Sequence, residues 1–104
     1  MSDDEFFEHL VNTAMAFMIP LRMRDGFDRQ AFDEFCRLLE HCATLWKDQD
    51  MIHKNAAMLF IDLYPAMMAC AELYPSDELQ DIYIAADHMA DLIRQCFLIA
   101  PKTI

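Results

Sequence analysis

Four histidines and four cysteines are the side chains in this 104-residue chain best suited to hold a metal or attack a substrate. Their spacing limits what they can do. Glu5 and His9 stand one helical turn apart, as do His88 and Asp91, so either pair could hold one ion loosely on a helix surface. Tetrahedral zinc needs three or four converging ligands, which neither pair supplies. A carboxylate-bridged two-metal bundle needs Glu-x-x-His repeated on facing helices, and the nearest match is a lone Asp50-x-x-His53 at a helix start. No metal and no other cofactor is expected, and the histidines read as solvated side chains.

Covalent chemistry is no better supplied. Cys36 has Glu40 one turn away, and a carboxylate raises a thiol pKa, which works against an activated thiolate. Ser2 and Ser76 both read as helix N-caps, with their hydroxyls committed to backbone donors. A single glycine, Gly26, cannot build a phosphate-binding loop. The chain is therefore expected not to be an enzyme.

Composition narrows the alternatives further. No C-x-x-C pair occurs, and a chain of this size should bury roughly 65% of its unfolded surface without staples, so reduced, buried thiols are expected. The acidic start Met-Ser-Asp-Asp-Glu is the reverse of a signal peptide, which predicts a cytoplasmic location. The apolar run 56–74 carries Asp62, Pro65 and Glu72, so it reads as a buried bundle helix and not a membrane span. Eighteen acids against eight bases give a formal charge of −10, which repels nucleic-acid phosphates and anionic membranes. Neither is an expected direct partner.

The elements that must position these residues are helices. With one glycine the chain lacks material for hairpin turns, and its apolar residues recur at helical spacing. The expected fold is all-α: one domain, residues 1–104, forming a compact bundle of about four helices. The first helix should begin with a Ser2–Glu5 capping box, bury Phe6, Phe7, Leu10, Val11, Ala14, Phe17 and Met18, and stop near Ile19 before Pro20. Asp25-Gly26 marks the following turn. The second takes Asp28 as N-cap and runs to about Lys47, with Phe32, Phe35, Leu39, Cys42 and Trp46 inward and Asp33–Arg37 and Arg37–Glu40 close enough to pair.

The third follows Asp50 and spans Met51 to Tyr74, apolar on most sides and thus nearly surrounded, with a kink or a restart at Pro65. Ser76 caps the fourth, whose first turn carries Asp77 and Glu78 and whose stripe runs through Leu79, Ile82, Tyr83, Ala86, Met89, Ala90, Ile93 and Phe97. The tail 99–104 is expected to fray. Short connections favour antiparallel neighbours in an up-down arrangement without fixing the order of the helices in space.

Two surface features remain. Hydrophobic residues make up 56% of the chain and nine residues are methionine, an excess for so small a bundle. Met15 flanks the polar face of the first helix, Ile84 projects opposite the core stripe of the fourth between Asp81 and His88, and Leu92 lies off that stripe. The second feature is an acidic line, Asp77, Asp81, Asp87 and Asp91, offset only by Arg94. Met15, Asp77, Asp81, Ile84, His88, Asp91 and Leu92 are thus the expected contacts with a partner, apolar residues supplying contact energy and acids steering a basic surface.

The leading functional expectation is a small acidic protein-binding module, acting as inhibitor, antiactivator or chaperone and forming a homodimer. The alternative is a nucleic-acid mimic that occupies the cationic groove of a DNA- or RNA-handling protein, in the manner of antirestriction or anti-CRISPR proteins. A third reading places a small molecule between the helices, against Trp46, Tyr64, Met67 and Met68.

Overall fold

The computed structural model describes residues 3–98, and these form four helices with no strand among them. They are α1 (Asp3–Arg22), α2 (Arg29–Trp46), α3 (Lys54–Ala71) and α4 (Ser76–Cys96). The Ser2 half of the expected capping box and the tail 99–104 lie outside the described residues.

α1 packs against α2 and α3, and α4 packs against the same two helices, which leaves α1/α4 and α2/α3 on the diagonals. Phe17 meets Phe32 while Phe6 meets His41, so α1 and α2 run antiparallel. Tyr64 reaches Asp87 and Tyr83 reaches Glu72, so α3 and α4 do too. Tyr74, just past α3, binds Leu21 near the end of α1, and Ala56 sits with Leu10 near the starts of both, so α1 and α3 are parallel. The bundle is two antiparallel hairpins laid side by side. Residues 47–53 cross the diagonal from α2 to α3.

That crossing explains where α3 begins. The helix starts at Lys54 and not at Met51, because the chain needs length to span the bundle end; His53 is its N-cap, without a side-chain bond, and Asp50 is not. α3 then passes Pro65 as one element instead of restarting there. Pro65 is exposed, so the Ile61 carbonyl it leaves unpaired within the helix faces the outer, solvent side.

Pro20 likewise does not stop α1. The helix continues to Arg22, burying Leu21, and closes with Asp25 N–H donating to the Pro20 carbonyl (2.8 Å) and Arg24 N–H to that of Leu21 (3.3 Å). This is a Schellman closure with Arg24, at φ 61°, in the left-handed position usually given to glycine. A proline two residues before the end forfeits one bond and leaves the carbonyls free for such a cap. Gly26 follows at φ 108°, and the Tyr74 hydroxyl clamps the turn by donating to the Leu21 carbonyl (2.8 Å) and accepting from the Gly26 N–H (3.1 Å).

Asp28 caps α2 as its sequence predicts, its carboxylate accepting from the Ala31 N–H at 3.1 Å. The pairs on its polar face differ from expectation: Arg29 meets Asp33 at 3.6 Å and Arg37 meets Glu34 at 2.5 Å. In α4 the N-cap position is held by Pro75, with Ser76 as the first helical residue and no side-chain cap. Phe17, Phe32 and Phe35 interlock at the core, with ring centroids 5.2 and 5.6 Å apart. Around them Leu10, Leu21, Leu39, Met67, Ile82 and Met89 are fully buried.

Candidate functional site

The outward face of α4 carries most of the residues expected to meet a partner. Asp77, Asp81, Ile84, Asp87, His88 and Asp91 are all exposed, Ile84 at 65% of its surface. Two expected contacts are not on it. Leu92 is 6% exposed and belongs to the core, and Met15 is half-buried against that core. The reason for Leu92 is tertiary: α4 has neighbours on two sides, so its buried arc widens to Ile82, Ala85, Ala86, Met89, Leu92, Ile93 and Cys96. Leu92 shares a face with Cys96, whose thiol donates to the Leu39 carbonyl of α2 at 3.4 Å. The same shift leaves Phe97, expected in the stripe, exposed.

α3 adds to this surface in a way its composition concealed. Only α1 and α4 pack along its length, α2 reaching it at its end through Trp46 against Phe60, so the nearly surrounded helix expected from its sequence in fact turns Met58, Ile61, Asp62, Pro65 and Ala69 outward. Met58 is 57% and Ile61 66% exposed. Tyr64 donates to Asp87 at 2.9 Å and Tyr83 to Glu72 at 2.5 Å, fastening α3 to α4 so that their outer faces form one surface. Each phenol is held above its ordinary pKa by the carboxylate that accepts its proton. Asp91 pairs with Arg94 instead of His88. Asp62, Asp77 and Asp81 make no ion pair among the described residues. The surface is thus apolar side chains set among uncompensated acids.

The cysteines do not form a reactive centre. All four are free and buried. Burial, reinforced by Asp33 and Glu40, pushes the Cys36 thiol up to about 11, so almost no thiolate exists near neutrality. The neighbouring Cys96 thiol and burial both raise the Cys42 pKa, which holds its proton in place. Among the described residues no three His, Cys, Asp or Glu side chains converge as a metal site. No helix among them is long and apolar enough to cross a membrane.

The small-molecule site expected near Trp46, Tyr64, Met67 and Met68 does not assemble, because Met67 is core and Tyr64 faces α4. A cleft of about 900 Å³ opens instead at the end of the bundle beneath the diagonal connection. The starts of α1 and α3, the end of α2 and residues 49–53 build it, with Trp46 on its wall. Phe6 and Phe7, expected in the buried stripe, are half-buried walls of this cleft. Nothing in the local sequence signals it, since its walls come from three helices and the crossing segment. No known protein-family model matches this chain, and no curated protein or solved structure matches it either.

Proposed function

We propose that this chain is a small acidic, non-enzymatic protein-binding module that docks on a partner through the outer faces of α3 and α4. The observation that carries the reading is Ile84, 65% exposed among Asp77, Asp81, Asp87 and Asp91, with Ile61 and Met58 outward on the helix fastened beside it. Exposed branched aliphatics give contact energy on desolvation, and unpaired acids round them select a partner whose apolar face has a basic rim. A second copy would bring acid against acid through this face, which favours a different protein over the homodimer. Inhibition, antiactivation and chaperoning of a cytoplasmic partner are the roles such a module fills.

The test is affinity capture with the wild-type chain, Ile84→Asp and a triple charge reversal at Asp77, Asp81 and Asp91, each at low and high salt. The module reading requires one stoichiometric partner retained at high salt and lost with Ile84→Asp. Recovery of a nucleic-acid-handling protein that is salt-labile, insensitive to Ile84→Asp and abolished by charge reversal would establish nucleic-acid mimicry instead. No partner at either salt overturns both.

A further inference from the structure

The cleft at the end of the bundle shares no lining residue with the α3–α4 outer face and has its own chemistry. Its volume of about 900 Å³ lies within the range of sites that enclose a small organic ligand. Phe6, Leu10, Leu38, Trp46, Ile52 and Ala56 give it apolar walls. The polar contribution is unusual for this chain. In a protein with eighteen acids and a formal charge of −10, no Asp or Glu lines the cleft among the described residues, while His9, His41 and His53, three of the four histidines, do. None of these three imidazoles has a hydrogen bond or ion pair among the described residues; His41 only stacks obliquely on Phe6, at 5.9 Å. Each imidazole offers an N–H donor in either protonation state. The same wall ends in the first turn of α3, which has neither a side-chain cap nor an acidic residue.

We propose that this cleft binds a small amphiphilic carboxylic acid, its hydrocarbon or aryl body against the apolar wall round Trp46 and its carboxylate taken by imidazole donors at the exposed rim, to which His9, His41 and His53 contribute. An anion is the occupant to which these donors are complementary, and an open cleft whose described lining holds no carboxylate is where it least meets the chain's negative field. A neutral alcohol of equal length gains the apolar contact and loses the charge-assisted bonds, worth about tenfold in affinity. A cationic amphiphile is attracted by the net charge everywhere on the surface and is not accommodated here.

Trp46, the only tryptophan, lies in the wall and reports occupancy directly. The experiment titrates the full chain with sodium decanoate, decanol and decyltrimethylammonium below their micellar concentrations, following indole fluorescence, with circular dichroism to verify that the fold persists. The expected result is a saturable one-to-one change with decanoate, about tenfold weaker binding of decanol, and no saturable site for the ammonium. His41→Glu places an acid in the cleft at an exposed position and should weaken decanoate at least about tenfold while leaving decanol within about twofold. The absence of a saturable decanoate signal, equal binding of the ammonium, or indifference to His41→Glu each overturns the proposal.

Discussion

Replacing Leu92 and Ile84 by alanine, one at a time, should separate two leucine-sized residues that the sequence of α4 makes look alike. Leu92 is 6% exposed on the side of α4 that faces α2, and its truncation leaves a cavity that the flanking helices can only partly close. Burial of this kind places Leu92→Ala at about 2–5 kcal/mol, a large share of the ~5–15 kcal/mol that holds a domain of this size together. At roughly 4–8 °C per kcal/mol for about 100 residues, Tm should fall by about 8–40 °C. Ile84 is 65% exposed, so its truncation removes little packing, and alanine's better helix propensity returns a few tenths of a kcal/mol. Its Tm should stay within about 3 °C. Thermal and urea unfolding followed at 222 nm decide the matter, and the capture assay should respond in the opposite order, sensitive to Ile84 and indifferent to Leu92 in any variant that remains folded. Equal destabilisation by the two substitutions, or a Leu92→Ala loss below about 0.5 kcal/mol, would refute the assignment of the buried arc.

Two further perturbations probe the turns and the prolines. Tyr74→Phe removes the hydroxyl that bridges Leu21 and Gly26; the Leu21 carbonyl keeps its bond from Arg24, whereas the Gly26 N–H loses its partner. A loss of about 1–2 kcal/mol is expected in urea unfolding, together with faster hydrogen exchange at Gly26, and unchanged exchange there would sink the clamp. Pro65→Ala supplies the missing N–H at an exposed position within α3 and should stabilise the protein by about 2 kcal/mol, the helix gain of about 3 kcal/mol being reduced by about 0.4–1 kcal/mol of lost restraint on the unfolded chain. A lower urea midpoint would instead mean that the pyrrolidine ring itself packs.

Helix content, the number of helices and several of their boundaries were legible in the sequence because they follow from interactions within a few residues. One glycine and apolar spacing at helical period excluded a sheet, Asp28 capped the helix it preceded, and Asp77 and Glu78 marked the start of α4. The acidic line and Ile84 were placed correctly on an exposed face for the same reason, since residues four apart share a side of any helix. What the sequence left open depends on which helices meet. α4 packs along α2 as well as α3, and that second neighbour buries Leu92; α3 packs along α1 and α4 alone, and its free side exposes Met58 and Ile61 despite their apolarity. The Schellman closure at Arg24 carried α1 past the proline that local rules would make its end, and the diagonal path of residues 47–53 delayed α3 and opened a cleft lined by histidines 44 positions apart at the extremes, His9 and His53. Periodicity fixes the angle at which a side chain leaves its helix, but burial depends on what lies in that direction, and only the packing of distant segments determines that.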